Sequence, residues 1–471
     1  MDVLEFQNNN PAYQDFLGRK LWTTIPVGFD IDQTALPDWL APFQRDLVRF
    51  GLSRGRAAIF ADTGLGKTRV QISWARQVHA HSGGNVLILA PLAVAQQTIR
   101  EGAGVGVTVH LCRSQTDVKA GLNITNYEML SHFDPAAFTG VVLDESSIIK
   151  HETSATRNAI IAAFGQTPYR LACTATPAPN DHTEIGNHAE FLGIMTRTEM
   201  LSTFFVHDGG KTSDWRLKKH AELEFWAWVS SWAAAIRKPS DFGYEDGAYL
   251  LPPLNIKRHK LDNEQEPEAG MLFAVAARGL NDQRAVKRNT LEERCQAVAD
   301  LANAEPGEHW LVWCELNDEG DLLEKLIPGA VQVRGSDSPE KKAERMLAFA
   351  AGDIRVMISK SSICGFGMNF QVCARMAFVS VTHSYEQFYQ AVRRCYRFGQ
   401  ARPVEVHVVF ADGEQLIVEN IQRKEKDAAL MAQQMVASMI FDRSLKASGR
   451  DTEAYDPQVE MTLPKWLRSA V

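Results

Sequence analysis

One eight-residue stretch, ADTGLGKT at positions 61–68, restricts the possible folds of this chain more than any other feature. It follows an apolar run, Ala57–Phe60, and precedes a helical pattern that begins near Arg69. A strand, a glycine-rich turn and a helix N-terminus in this order form a phosphate-binding loop, because Gly64 and Gly66 allow backbone N–H groups to turn toward phosphate oxygens. A chance turn before a helix is the alternative, and the preceding strand argues against it. The sequence therefore predicts an α/β fold with an anion site after an early strand.

Short β-rich runs alternate with helical patterns in two separate stretches of the chain. Such alternation predicts βαβ units and a parallel sheet covered by helices on both faces. The predicted fold class is therefore α/β, with two parallel-sheet lobes. The predicted strands are Ala57–Phe60, Val86–Ala90, Val107–Leu111, Asn123–Thr125, Val141–Leu143 and Tyr169–Thr174 in the first lobe, and His309–Cys314, Ala330–Arg334, Val356–Ser359, Met376–Val381 and Val404–Phe410 in the second.

The length of 471 residues predicts two or three domains, at roughly 150 residues per domain. The proline pair of the LLPPL segment at 250–254 marks the entry to the second lobe. The predicted segments are an N-terminal extension (1–35), the first lobe (36–194), a helical insertion (195–250), the second lobe (251–443) and a C-terminal tail (444–471).

The insertion carries an aromatic stripe beside a basic run. Phe225, Trp228, Trp232 and Ile236 recur at helical spacing, which predicts one helix face packed into the core. The basic run consists of Lys211, Arg216, Lys218 and Lys219, and it is the candidate for contact with nucleic-acid phosphates. A solvated charged surface is the alternative for this run.

Composition is that of a folded protein without a membrane segment, since 45% of the residues are hydrophobic and 23% are charged. The apolar runs fall far short of the roughly 20 residues that a spanning helix needs. The N-terminus lacks the pattern of a secretory signal. Seven scattered cysteines without a C-x-x-C pair predict neither zinc nor disulfides, which favours a reducing, cytoplasmic location. The net charge of −7 argues weakly against nucleic-acid binding, which depends on a local basic surface.

An apolar strand that ends in two acids, Asp144 and Glu145, is the second chemical signal. The carboxyl ends of parallel strands share one edge of the sheet, so this pair is expected beside the phosphate-binding loop. There Lys67 would hold the β- and γ-phosphates of ATP, while Thr68 and Asp144 would hold magnesium. Glu145 would orient and deprotonate the attacking water. Together the two signals predict an ATP-hydrolysing site.

The motifs of the first lobe resemble those of the superfamily-two helicases, and among them the Swi/Snf-type ATPases. With the second lobe included, the resemblance covers about residues 40–425. This resemblance implies two RecA-like lobes. It also implies that Gln44 reads adenine, and that Thr174 and Thr176 couple hydrolysis to movement of the lobes. Nucleic-acid contacts are implied at Pro91 and at Thr125–Asn126, and Lys360 and Ser361 are further candidates.

The second lobe resembles the same family most clearly in the string QAVRRCYRFGQ at 390–400, which is distinctive of the Swi/Snf branch. The resemblance implies that Arg394 and Arg397 are arginine fingers and that Gln390 takes part in coupling. Gly367 falls in a matching G-x-G-x-N motif. The implied nucleotide-binding residues are Gln44, Thr63, Gly64, Leu65, Gly66, Lys67, Thr68, Asp144 and Gly367.

Four positions depart from the usual pattern of the family. Arg393 replaces a glycine, Ser146–Ser147 replace an Ala-His pair, and Ala61 replaces the first glycine of the loop. These departures leave the predicted hydrolytic residues intact. Cys364, Cys373 and Cys395 do not have the spacing of a metal site and are interpreted as small buried apolar residues.

The predicted function is an ATP-dependent motor that moves on double-stranded DNA, as in compact bacterial or bacteriophage members of the family, with ATP and magnesium as cofactors. A strand-separating DNA or RNA helicase is the alternative within the enzymes. A nucleotide-gated DNA clamp would not need Glu145 and both arginines, and a small-molecule kinase would not need the second lobe. A protein partner is left unspecified, and no membrane or zinc is expected.

Overall fold

The computed structural model describes residues 27–151, 153–207, 215–261, 287–364, 369–382, 384–411 and 414–447. In these ranges the strands are β1 (Arg56–Ala61), β2 (Asn85–Ala90), β3 (Val109–Leu111), β4 (Leu122–Asn126), β5 (Phe138–Asp144), β6 (Tyr169–Thr174), β7 (Phe205–His207), β8 (Trp215–Leu217), β9 (Ala233–Ile236), β10 (Leu254–Leu261), β11 (Trp310–Cys314), β12 (Val331–Val333), β13 (Val356–Lys360), β14 (Arg375–Phe378) and β15 (Val404–Ala411).

The α-helices of the described ranges connect these strands, with additional helices before β1 and after β15. They are α1 (Pro42–Arg54), α2 (Lys67–Ser82), α3 (Leu92–Gly104), α4 (Ala155–Phe164), α5 (Ile185–Leu192), α6 (Arg197–Phe204), α7 (Glu222–Trp232), α8 (Leu291–Ala304), α9 (Asn317–Leu326), α10 (Pro339–Ala351), α11 (Ser361–Cys364), α12 (Tyr385–Val392) and α13 (Gln415–Ala447). Local signals explain several of the helix ends. The Thr196 hydroxyl caps α6 by accepting from the Glu199 N–H, and Gly83 ends α2 in the left-handed conformation.

Two parallel sheets form two lobes, which confirms the predicted α/β fold class. The first lobe is built on the strand order β3-β4-β2-β5-β6-β1-β9, and the second on β10-β15-β14-β11-β13-β12. The central strands are apolar throughout because helices cover both faces, as in the run from Val86 to Ala90. The carboxyl ends of β1, β5 and β6 therefore lie side by side, with Ala61, Asp144 and Thr174 as their last residues.

The prediction of a helical insertion at 195–250 is wrong in part. Its stripe of Phe225, Trp228 and Trp232 is buried on α7 as expected, but Ile236 lies on β9 and does not continue the helix. β9 pairs in parallel with β1, so this part of the chain completes the first sheet. The four-residue run from 233 was missed because Ile236 also fits the helical spacing of the preceding aromatic residues. A second strand, β10, was also missed, and it forms the edge of the second sheet.

The last described helix, α13, begins after the second sheet and packs on the first lobe. Met431, Met435 and Val436 are buried in the core that also contains the aromatic residues of α7. The Lys424 amino group donates to the Asn180 side chain at 2.7 Å, and the amide of Gln434 donates to Glu222. Ile417, Val418 and Ile421 of the same helix are buried in the core of the second lobe, so α13 packs on both lobes.

All seven cysteines are buried with free thiols, which confirms the interpretation of Cys364, Cys373 and Cys395 as buried residues. No helix within the described ranges is long and apolar enough to cross a membrane. The predicted extension and tail lie mainly in 1–26 and 448–471, outside the described residues. The predicted segment boundaries stay a prediction.

The apolar contact of α13 generates a test of stability. Met435 is 3% exposed, so Met435→Ala should lower the free energy of unfolding by about 2–5 kcal/mol, through lost burial and the cavity left behind. Leu430 lies on the same helix but is 54% exposed, so Leu430→Ala should change it by less than about 0.5 kcal/mol. Urea unfolding followed by tryptophan fluorescence measures both, and equal effects would refute the packing of α13 on the first lobe.

Candidate active site between the two lobes

The phosphate-binding loop has the strand–turn–helix geometry that the sequence predicts. It leaves β1 at Ala61 and enters α2 at Lys67, two residues earlier than expected. Gly64 and Gly66 have φ angles of 92° and 76°, which residues with a Cβ rarely adopt. The Lys67 amino group donates to the Ala61 carbonyl at 2.9 Å, so the cation lies across the mouth of the loop.

Gln44 supports the loop from α1. Its amide nitrogen donates to the Leu65 carbonyl at 2.8 Å, and its amide oxygen accepts from the Ala41 N–H at 3.0 Å. A Cβ at Gly66 would lie 2.4 Å from the Gln44 amide nitrogen. The side chain predicted to read adenine is thus fixed against the loop by both ends of its amide.

The acid pair stands at the end of β5, next to the loop. Asp144 is buried and accepts from the Gln71 amide at 2.6 Å and from the Glu145 N–H at 3.1 Å. Burial and the neighbouring Glu145 charge raise the pKa of Asp144 to about 6. Glu145 has a φ of 51° and is the single non-glycine residue with positive φ among those described. Such a conformation is strained and directs the side chain away from the strand axis.

The second lobe supplies the arginines just beyond α12. Arg394 is buried and donates from its Nε and Nη2 to the backbone and side-chain oxygens of Gln390, at 3.0 and 3.1 Å. The Gln390 amide nitrogen lies 3.5 Å from a Glu145 carboxylate oxygen, a weak contact between the lobes. Burial and the adjacent Arg394 lower the pKa of Arg397 to about 10. The Nε of Arg397 is buried without a hydrogen-bond partner.

One cavity of about 490 Å³ between the lobes is lined by both sets of residues. This volume lies within the range of ordinary ligand pockets. The predicted residues that line it are Gln44, Thr63, Gly64, Gly66, Lys67, Thr68, Asp144, Glu145, Arg394 and Arg397. Leu65 is buried beneath the loop, and Gly367 lies outside the described residues. The structure therefore brings together groups that are some 250 residues apart in sequence.

Several residues in the cavity or bonded to its lining residues were not predicted. Tyr249 and Phe398 face each other across it with ring centroids 4.8 Å apart, one from each side of the interface. Gln71 holds Asp144 from the middle of α2, and Tyr127 donates its hydroxyl to the Asp144 carbonyl at 2.6 Å. Phe398 had a signal, since it lies within the 390–400 string. Tyr249 had none, because its contact depends on the position of the second lobe.

The predicted coupling residues lie near one another at the interface. Thr174 ends β6, and its hydroxyl accepts from the Thr176 N–H at 3.1 Å. Thr176 lines a neighbouring interlobe cavity of about 240 Å³, together with Tyr389 and Val392 of α12. Gln390 bridges Glu145 and Arg394 as described. The geometry is therefore compatible with a path from the acid pair to the second lobe.

The predicted nucleic-acid contacts are dispersed. Pro91 and Asn126 lie at the carboxyl ends of β2 and β4, on the same sheet edge as the acid pair. The Thr125 side chain is fully buried, so it does not reach the surface, and a direct phosphate contact by it is excluded in this arrangement. Lys360 and Ser361 lie where β13 passes into α11, at the corresponding edge of the second sheet.

The basic run is described only in part, because Lys211 lies outside the described residues. The Lys218 amino group donates to the carbonyls of Ser202 and Thr203, at 3.2 and 2.9 Å. Lys219 and Arg216 are exposed. Lys218 thus stabilises its own chain, which favours a structural role for that residue over a phosphate contact.

A resident metal site made of side chains alone is not seen in the described ranges, where no three or more His, Cys, Asp or Glu residues converge. The oxygens of Thr68 and Asp144 line the same cavity, and hard oxygen donors of this kind suit magnesium when phosphates complete the coordination. The buried, electrostatically strained Asp144–Glu145 pair fits a nearby dication as well.

Comparison with known proteins bears on the second lobe. Residues 293–399 match the helicase conserved C-terminal domain family. This part of the second lobe is therefore similar to a helicase C-terminal domain. The matched segment of this domain runs from α8 to Gly399 and includes Arg394 and Arg397, so the predicted helicase resemblance is confirmed there.

Beyond the second lobe, the likeness to known proteins is distant. Among curated proteins, none matches the sequence. A solved structure of the Sulfolobus solfataricus SWI2/SNF2 ATPase core in complex with dsDNA matches 90% of this chain and 97% of its own, at 16% identity and a TM-score of 0.40. A likeness this distant does not assign a function.

The contact between Gly66 and Gln44 generates a matched pair of variants. Gly66→Ala should raise the dissociation constant for ATP at least about tenfold, because its methyl group displaces Gln44 and distorts the loop. Gly83→Ala, at the other end of α2, has a similar φ of 70° but no atom within 4 Å of the added carbon. It should cost about 1 kcal/mol of stability and leave ATP affinity unchanged. Calorimetric titration of both variants measures the difference, and equal affinities would contradict the role of the loop.

Proposed function

We propose that this protein is an ATP-hydrolysing motor of the Swi/Snf type that moves along double-stranded DNA. The observation that carries the proposal is the cavity that joins Lys67, Asp144 and Glu145 of the first lobe to Arg394 and Arg397 of the helicase C-terminal domain. A phosphate loop alone would serve many enzymes. A site divided between two lobes makes hydrolysis depend on their relative position.

The chemistry assigned to each group follows from its charge and position. Lys67 and the N–H groups of the loop bind the phosphates, and Glu145 accepts the proton of the attacking water. Arg394 and Arg397 stabilise the charge that develops on the transferred phosphoryl group. Magnesium, held through Thr68 and Asp144, would neutralise phosphate charge when bound. Tyr249 and Phe398 offer aromatic surfaces beside Gln44 for a nucleotide base.

Ser146–Ser147 stand where the family usually has Ala-His after the acid pair, and Ser146 makes a contact within its own lobe. The Ser146 hydroxyl forms a hydrogen bond of 3.0 Å with Nε2 of His188, a residue of α5 in the same lobe. Burial lowers the pKa of His188 to about 4, so this histidine is neutral at physiological pH. Ser146 therefore joins the acid motif to its own lobe, and Gln390 provides one of its contacts with the second lobe.

Movement on duplex DNA is proposed from the 390–400 string, which is distinctive of the Swi/Snf branch, and such motors track a duplex without separating its strands. Pro91 and Asn126 in the first lobe, and Lys360 and Ser361 in the second, are the proposed backbone contacts. They come from different lobes, so closing and reopening of the cavity would shift one group against the other. Strand separation is the alternative activity, and a clamp that binds without hydrolysis is the alternative outside the enzymes.

The arginines give the sharpest test of the divided site. Arg394→Ala and Arg397→Ala should bind ATP with nearly normal affinity, yet DNA-stimulated turnover should fall on the order of 10³-fold, because an arginine finger acts on transition-state charge. The double variant should be only slightly slower, since both groups serve one step. Turnover is measured by phosphate release with saturating duplex DNA, beside the ATP dissociation constant.

Arg402 provides the matched control for these variants. It lies outside the cavity, partly exposed, and pairs with Glu308 at 2.8 Å. Arg402→Ala should leave stimulated turnover within about twofold of the wild type, as expected for an exposed ion pair. Normal turnover in both Arg394→Ala and Arg397→Ala would refute hydrolysis by two lobes together.

Translocation is tested separately by displacement of a third strand bound to duplex DNA. The wild type should displace it in an ATP-dependent manner while leaving the underlying duplex paired. Glu145→Gln should bind ATP but displace about 10²–10⁴-fold more slowly, which is the usual contribution of a general base. Separation of the duplex strands would favour the helicase alternative, and binding without displacement or hydrolysis would favour the clamp.

A further inference from the structure

A carboxylate inside the phosphate-binding loop is held by the second lobe. Asp62 is the second residue of the loop, and its carboxylate accepts from Arg393 Nη2 at 2.8 Å. The Tyr389 hydroxyl donates to the other oxygen of the same carboxylate. Both partners belong to α12 or the residue after it, more than 320 positions away in sequence. The loop therefore contacts the second lobe directly, apart from any contact through a nucleotide.

Arg393 is fixed for this contact by two aromatic rings. Its guanidinium carbon lies 5.0 Å from the ring centre of Tyr389 and 5.0 Å from that of Tyr396. Stacking on two rings orients a planar cation and favours its charged form. Burial opposes the charge, yet Asp62 and Tyr389 hold the pKa of Arg393 above its usual range. The residue that replaces the glycine usual at this position thus has a defined partner.

The position of Asp62 gives the ion pair a consequence for nucleotide binding. The Asp62 side chain also accepts from the Thr63 N–H at 2.6 Å. The backbone carbonyl oxygen of Asp62 lies 3.5 Å from the Lys67 amino group. A carboxylate this close to the loop repels phosphate unless a cation neutralises it. Arg393 provides that cation only while α12 lies against the first lobe.

A second ion pair between the lobes shows that α12 is docked along its length. Lys150, which follows the acid pair, contacts Glu386 on the first turn of α12. Arg393 follows the last turn of that helix. The helix therefore joins the acid motif at one end and the phosphate-binding loop at the other.

We propose that Arg393 is a positioning residue that acts through Asp62, so that the phosphate-binding loop accepts ATP tightly only when the second lobe is docked. This inference rests on the proposed function, and it adds how the lobe position regulates the ATP site. Arg394 and Arg397 act on the chemical step, whereas Arg393 sets ATP affinity. Arg393, which replaces the usual glycine, thereby makes the ATP affinity of the loop depend on closure of the two lobes.

The test is a double-mutant cycle on Asp62 and Arg393, with ATP affinity measured by calorimetry. Arg393→Gln leaves the loop carboxylate without its cation and should raise the dissociation constant about tenfold, a usual size for coupled sites. Asp62→Asn should change it by less than about twofold, since the guanidinium stays stacked on both tyrosines. The double variant should lie within about threefold of the wild type, because the unpaired carboxylate is gone.

Two further measurements separate positioning from a general structural role. Arg393→Lys loses the stacking on both rings but keeps the positive charge beside Asp62, and should restore affinity to within about threefold of the wild type. The turnover of Arg393→Gln at saturating ATP should stay within about twofold of the wild type, in contrast to Arg394→Ala. Arg402→Gln serves as the control for loss of an arginine outside the cavity.

Three results would overturn the inference. A double variant as weak as Arg393→Gln would overturn the inference, and so would unchanged affinity in Arg393→Gln. Asp62→Asn that binds ATP about tenfold more tightly would mean that the charges act independently at a distance, which also overturns it. If the wild type binds ATP but does not hydrolyse it, the proposed function fails, and the affinities of the cycle still decide the role of Arg393.

Discussion

Acidic side chains of one lobe and basic side chains of the other meet at the cavity between the two lobes. The first lobe places Asp144 and Glu145 beside a loop built for phosphates, and the second lobe brings two arginines to the same cavity. Burial, with a neighbouring like charge as the second cause, raises the pKa of Asp144 and lowers the pKa of Arg397. Docking places Glu145 of the first lobe near Arg394 and Arg397 of the second, where its charge favours the charged form of both arginines.

The parallel sheets explain how such distant residues meet. In both lobes the strands run in the same direction, so every functional loop leaves from one edge of its sheet. Placing these two edges against each other puts the phosphate loop, the acid pair and the 390–400 string around a single cavity. Helix α13 and strand β9 support this arrangement. The helix follows the second sheet and packs against the first lobe, and β9 ends beside Asp62.

The sequence predicts those features that depend on local pattern. The strands β1, β2, β5 and β6 follow from apolar runs, and the loop and acid pair follow from residue types at the ends of these runs. The contact of Arg393 with Asp62 was not predictable, because the two residues are 331 positions apart in sequence and belong to different lobes. The same holds for Tyr249 beside Phe398 and for Gln71 beside Asp144, which are long-range contacts set by packing. Composition alone did not indicate that Lys218, a basic residue in a basic run, bonds to the backbone of its own lobe.

Phosphate release by the wild-type protein, compared across duplex DNA, single-stranded DNA and RNA at equal nucleotide concentration, tests the central claim most directly. Hydrolysis should be slow without nucleic acid and should be stimulated most by duplex DNA, as the proposed coupling of lobe closure to contact with the duplex backbone requires. Stimulation by single-stranded DNA or RNA with little response to duplex would contradict a duplex motor. Hydrolysis at the same rate with and without every nucleic acid would contradict the coupling of the divided site to movement.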